Sequence, residues 1–472
     1  MAKNINSISG WPYGMVLKRW AAKFSWLGQR LEMDQATILL LSTRALQILV
    51  YPVTMILIAR CLTAEMQGFY FTFSSLLALQ IFVELGFIIA ITNVASHEWA
   101  HLSLDSVGRI TGHPEALSRI VSLGRLIFKW YAAASFIFAV VAVQVGWSFF
   151  SQKTYQGLGW QGPWILLVAL SGLLLLMLPF NALLEGCNQV AVINKFRLMQ
   201  VFLENGALWA FFWLGGGLWA PVAAVAARVG QNLFLLLIRY RRFFQPFFQS
   251  PSGSRIHWGR EIWPLQWRLA AQSLVAYLAY HLFNPVMFYY HGAVVAGQMG
   301  MTLQAVQGLQ LVAMAWVSTK VPRFGMFIAH KEYPALDRLW LRTSVISIAA
   351  ISLGALALWF LLFRTSIVPP VLTQRFLGAG PTAIFLFAAI FFQISQCLVV
   401  YLRAHKQEPI LVPGITLSVA AGLLVWGLGS RYGPLGAAAG NLAQIIVGSL
   451  WFAAIWQRCR TAWHKPCEVI SP

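Results

Sequence analysis

The chain has 472 residues, of which 59% are hydrophobic and only 10% are charged. Soluble domains average about 25% charged residues, so a water-facing surface of this size cannot be built from this composition. A soluble enzyme, a disordered chain and a nucleic-acid-binding domain are excluded together, because apolar runs of this length suit a bilayer. The net charge is +20. Basic residues collect in cytoplasmic loops of membrane proteins, and a basic cavity for an anionic substrate is compatible with the same excess. Cysteines stand at Cys61, Cys187, Cys397, Cys459 and Cys467, an odd number without framework spacing, so no disulfide scaffold is expected. Cys459 and Cys467 flank His464 in a basic tail, a weak pattern for a metal; neither metal nor other cofactor is expected.

Residues 1–36 contain no apolar run of signal length before a small-residue cleavage site, so no cleavable signal peptide is expected. From about residue 16, Trp20, Phe24, Leu27 and Leu31 share one helical face, with Lys18, Arg19, Lys23 and Arg30 off it. That pattern predicts an amphipathic helix on the cytoplasmic membrane surface. Hydrophobic segments follow at 37–60, 68–96, 123–150, 163–184, 196–217, 219–240, 263–290, 295–320, 340–363, 377–402, 409–429 and 433–457. They predict an all-α polytopic membrane protein with about twelve transmembrane helices. The domain plan is a cytoplasmic segment 1–36, a six-helix bundle 37–240, a linker 241–262, a second bundle 263–457 and a tail 458–472.

Charge tests this map. Of the Lys and Arg residues, 27 fall on the loops and span ends placed inside and five, Arg60, Lys153, Arg364, Arg375 and Arg431, on those placed outside. The alternation predicts that both termini are cytoplasmic. An internal repeat supports the even number of spans: Ala64–Gly68 aligns with Ala296–Gly300, and Gly217–Pro221 with Pro434–Ala438. Six spans per half predicts two bundles related by a pseudo-two-fold axis along the membrane normal.

Charges within spans are costly and face a cavity or a partner. Arg44 and Glu84 fall at similar depth in spans 1 and 2 and are expected to pair; the alternative is a snorkelling arginine and a helix-packing glutamate. Glu204 and Arg228, on spans 5 and 6, lie within about 5 Å of the same depth by helical rise. The second half has no such charges. It offers His281 and a stripe of amides, Gln304, Gln307 and Gln310, which either glue helices or line a hydrated cavity. His97-Glu98-Trp99-Ala100-His101 matches H-E-x-x-H, which on a helix presents two imidazoles to zinc. Its place at the end of span 2, and the absence of a second acidic motif deeper in the membrane, make it inert by expectation. No phosphate-binding loop and no nucleophile elbow occurs, so no enzymatic activity is expected.

The stretch Glu65–Gly86, EMQGFYFTFSSLLALQIFVELG, resembles the first helical hairpin of bacterial polysaccharide flippases of the multidrug/oligosaccharidyl-lipid/polysaccharide exporter superfamily. Leu184–Gln200, LEGCNQVAVINKFRLMQ, resembles their span 4–5 connection. The resemblance implies a bacterial inner-membrane protein that flips an undecaprenyl-pyrophosphate-linked oligosaccharide for O-antigen or other surface polysaccharide. It places Arg44, and with it Arg228, where the lipid pyrophosphate is met. Partners so implied are the lipid-linked glycan, membrane lipids, a coupling cation, and a glycan polymerase with glycosyltransferases, but no nucleic acid. Alternatives are a cation-coupled multidrug exporter of the same superfamily and, distantly, an intramembrane zinc protease using His97, Glu98 and His101.

Overall fold

The computed structural model describes residues 35–84, 87–151, 157–249, 280–405 and 407–464, with isolated positions between 253 and 277. The expected amphipathic helix at 16–31 and most of the linker and of the seventh span lie outside the described residues, as does Cys467. The first half comprises α1 (Gln35–Cys61), α2 (Ala64–Leu77), α3 (Ile81–Glu84), α4 (Phe87–Trp99), α5 (Pro114–Ser151), α6 (Gln161–Gly186), α7 (Val190–Trp213) and α8 (Trp219–Leu233). After a π-helical turn, Phe234–Arg239, come α9 (Arg241–Phe244) and a 3-10 turn, Gln245–Phe248. The second half comprises α10 (Phe283–His291), α11 (Ala293–Ser318), α12 (Val321–Ala329), α13 (Tyr333–Phe363), α14 (Pro370–Thr373), α15 (Ala379–Ala404) and α16 (Leu411–Trp463).

Among the described residues, eight helical segments are long and apolar enough to cross a membrane. The twelve-span pattern exceeds that number for physical reasons. α16 is two helices that meet at Gly433, whose φ of 63° breaks the helix just before Pro434. α7 carries Lys195, Arg197 and Glu204, and α11 carries Gln298, Gln304, Gln307 and Gln310, which dilute the hydropathy of both. The seventh span is represented mainly by α10.

Two features depart from the expected map. Span 2 is not a uniform α-helix: a 3-10 turn at Ala78–Gln80 separates α2 from α3. Between α4 and α5 the chain forms an antiparallel hairpin, β1 (Leu102–Leu104) with β2 (Ile110–Gly112), where only a loop was expected. Asp105 organises its turn by accepting the Val107 and Arg109 amides at 2.9 and 2.7 Å. These backbone donors hold its carboxyl below the usual carboxylate range.

Within the first half α1 packs on α7, and α6 on α4, α5 and α8; between the halves, α2 lies along α11. The crossing is built on small residues. A side chain at Gly68 would run into the Ala293 carbonyl, and one at Gly297 would lie 2.8 Å from the Gly68 nitrogen and 3.2 Å from the Ala64 carbonyl. The close approach is reciprocal, pairing Ala64-x-x-x-Gly68 with Ala293-x-x-x-Gly297. This corrects the repeat: its register at the crossing lies three residues before the alignment of Ala64 with Ala296. The small-x-x-x-small spacing, rather than sequence likeness, decides where two backbones can touch. Gln67 seals the same end by donating to the Gly297 carbonyl at 2.8 Å and to the Arg375 carbonyl at 3.1 Å. An aromatic cluster fills the space beside it, with Phe69 edge-on to Phe288 of the other half at 5.0 Å.

At the opposite end of the second half, Asp337 ties three helices together. It accepts Arg460 Nη2 at 2.6 Å and Tyr401 Oη at 2.7 Å.

Gly297→Leu is expected to overpack the crossing and destabilise the folded protein by about 1–3 kcal/mol. Gly206→Leu, at a position with open space around it, should not. Melting temperatures in detergent, followed by fluorescence-detected size exclusion, separate the two; equal values would contradict this account of the crossing.

Candidate functional site

The site is a chain of four cavities on the far side of the α2–α11 crossing. The first, about 710 Å³, is lined by α1, α7 and α8 through Arg44, Gln47, Arg197, Gln200, Glu204 and Arg228. The second, about 410 Å³, shares Tyr51, Glu204 and Asn205 with it and reaches His281, Asn284, Gln304 and Gln307 of the other half. The third, about 480 Å³, lies within the first half and shares Arg197, Gln200 and Arg228 with the first cavity; Glu84, Asn181, Glu185, Gln231 and Asn232 also line it. The fourth, about 210 Å³, lies within the second half, where Gln307, Gln310, Gln396, Asn441 and Gln444 line it. Arg228 and Gln307 therefore stand in the partitions, each lining two cavities.

The expected pairing of Arg44 with Glu84 does not occur. Arg44 is exposed to its cavity and, among the described residues, donates to Gln47, one turn on, at 3.4 Å. Glu84 opens onto the third cavity, where the cations are Arg197 and Arg228. Equal depth was the wrong criterion. α1 packs on α7, whereas Glu84, beyond the tighter 3-10 turn that follows α2, lines the cavity bordered by α6 and α8. Glu204 and Arg228 do share the first cavity without forming an ion pair within the described residues. Glu204 instead accepts from Gln200 Nε2 at 3.2 Å.

Arg197, at the cytoplasmic end of the expected span 196–217, is not among the charges weighed for the cavity. α7 begins at Val190, so Arg197 lies two turns into the helix, where it is ion-paired with Glu185. The cost of exposing a guanidinium to an apolar interior is offset there by a carboxylate twelve residues earlier, across the short α6–α7 turn. Spacing across that turn, Glu185 to Arg197, was the available signal. Asn181 and Asn232 form a second bridge in the same wall, at 2.8 Å.

Several amide oxygens near these cavities have no hydrogen-bond partner among the described residues: Gln304 Oε1 and Asn284 Oδ1 at the second cavity, Gln231 Oε1 and Asn181 Oδ1 at the third. Buried acceptors without partners are costly, and a ligand with hydroxyl donors would satisfy them.

The H-E-x-x-H residues do not form a zinc face. α4 ends at Trp99, so His101 is off the helix and its carbonyl accepts the His113 amide at 3.1 Å. Glu98 is held by Arg119 at 2.7 Å. Among the described residues, no group of three His, Cys, Asp or Glu side chains is placed to hold a metal ion.

No family model matches the sequence, and no characterised protein matches it by sequence search. Solved structures match along nearly the whole chain. An inward-facing multidrug resistance MATE family transporter of the MOP superfamily aligns with a TM-score of 0.60 at 14% identity, over 91% of this chain and 99% of that one. The lipid II flippase MurJ, in an inward closed conformation, aligns with a TM-score of 0.58 at 10% identity, over 89% and 87%. The Vibrio cholerae MATE transporter VcmN aligns with a TM-score of 0.54 at 14% identity, over 93% and 99%. The likeness is one of fold: the chain has the fold of these MOP-superfamily transporters.

Proposed function

We propose that the protein flips a lipid-linked oligosaccharide, with an undecaprenyl-pyrophosphate carrier, across the bacterial inner membrane for surface polysaccharide synthesis. Its two bundles, 37–240 and 263–457, would rock to alternate access, and both termini would lie in the cytoplasm. The observation that carries this reading is the grouping of Arg44, Arg197 and Arg228 around one cavity with Glu204 as its one acid among the described residues.

The physical problem is to take a pyrophosphate and hydrophilic sugars through about 30 Å of hydrocarbon. Guanidinium groups offset the lost hydration of the phosphates by charge-assisted, bidentate hydrogen bonds. The neutral amides of the second and fourth cavities suit sugar hydroxyls, since they both donate and accept. The division of labour follows the chain: the cations come from the first half, the amides largely from the second. A MurJ-like fold is consistent with a lipid-linked substrate.

A second reading has its own observation. Glu84 and Glu185 line the third cavity, and carboxylates in a membrane-embedded cavity suit a coupling cation or a cationic drug. Multidrug transporters share the fold.

Complementation of a flippase-deficient strain, with membrane abundance checked by blot, tests the first reading. Arg44→Lys should be impaired and Arg44→Ala more so, because an ammonium cannot reproduce the bidentate geometry. Loss of one such contact weakens substrate capture by about tenfold or more. Full polysaccharide from Arg44→Ala at normal abundance would refute the assignment. Glu84→Gln separates the two readings: it should leave ethidium efflux unaltered if the substrate is the glycan, and abolish gradient-driven efflux if the protein exports drugs.

A further inference from the structure

Outside the central cavities, the first half carries a groove of about 680 Å³ between α5, α6 and the chain from the π-helical turn to Phe248. Its floor is apolar: Phe128, Phe180, Leu237, Phe247 and Phe248 line it. Its charged residues are all cations, Arg125, Lys129 and Arg241. Both helical segments that frame it are long and apolar enough to cross a membrane.

The groove is built, not incidental. Gly124 leaves room for the Phe247 ring to lie directly on the α5 backbone, where any side chain would clash with it. Phe244 meets Phe180 edge-on at 5.6 Å. Arg125 donates to the Gln249 carbonyl at 3.1 Å, which fastens the far end of the segment to α5. Lys129 lies one turn further along the same face of α5 and is exposed, as is Arg241. α5 has 38 residues, about 57 Å at a rise of about 1.5 Å per residue, so its first turns project beyond the hydrocarbon. By that rise Lys129 lies about 22 Å from the start of α5, near the headgroup level, with Phe128 and Phe180 beside it, while Phe248 and Leu237 are 87% and 62% exposed to the surroundings.

We propose that this groove binds an anionic phospholipid of the surrounding bilayer. Lys129 and Arg241 hold its phosphate, and Phe128, Phe180 and Leu237 receive its acyl chains. Basic pockets at the membrane surface select anionic headgroups. A choline headgroup would bring its own cation against two others, so the charge pattern discriminates between lipids with identical tails. This site is separate from the transport cavities and does not depend on what they carry.

The test uses the purified full-length protein, delipidated in detergent. It is titrated with phosphatidylglycerol, with phosphatidylcholine of the same acyl chains, and with inorganic phosphate, and retained ligand is read by native mass spectrometry. Phosphatidylglycerol should be retained in preference to both. Lys129→Gln and Arg241→Gln should each weaken its retention by roughly fivefold, the worth of one cation near a membrane surface. Lys129→Arg should keep the preference, and Arg338→Gln, at an exposed site in the other half, should not change it. Equal retention of the two lipids, an unchanged preference in the double glutamine variant, or inorganic phosphate binding as well as the lipid would overturn the proposal.

Discussion

The contact between Gly68 and Gly297 governs the arrangement of the rest. Lipid tails are as apolar as leucine, so no hydrophobic force holds two bundles together in a membrane; van der Waals packing and polar bonds must do it. Two Ala-x-x-x-Gly faces let α2 and α11 touch at backbone distance. The approach brings Gln67 within reach of two carbonyls from the second half and sets Phe69 against Phe288. With that end sealed, the halves diverge on the other side, and the polar residues of α1, α7, α8 and α11 face the space left between and within them.

The electrostatics of that space are lopsided. Three guanidinium groups meet in the first half, and only one of them, Arg197, is ion-paired within the described residues. The second half contributes amides and a histidine. A cation in low dielectric is stabilised by an anion or by water. A substrate that carries both phosphate and hydroxyl groups matches the two halves in their chain order, which is the physical content of the proposed transport of a glycan on a phosphorylated lipid.

Much of this was legible from sequence, and the failures are instructive. Apolar length and charged loops marked the spans because the bilayer imposes them on every helix. Arg44, Glu84, Glu204, Arg228, His281, Gln304, Gln307 and Gln310 all stand at cavity walls, since polar groups at that depth have few other places to go. The Arg44–Glu84 pair was misjudged because helical rise gives depth but not direction around the axis, and the 3-10 turn at Ala78–Gln80, with about three residues per turn, changes that direction. Arg197 was missed because a charge in the first turn of an expected span reads as part of its cytoplasmic flank. The β-hairpin escaped because its strands are three residues each, too short for alternation to register; the Asp105 turn with Gly108 at φ 87° was its one local sign.

The central claim is that the guanidinium-lined cavity receives a phosphorylated lipid head. Titration of the purified, detergent-solubilised protein with a fluorescent polyprenyl pyrophosphate, in parallel with the uncharged polyprenol, measures this most directly. The account predicts saturable binding of the pyrophosphate that weakens in Arg228→Gln and little binding of the alcohol. Equal binding of the two lipids, or pyrophosphate binding indifferent to Arg44, Arg197 and Arg228, would contradict it.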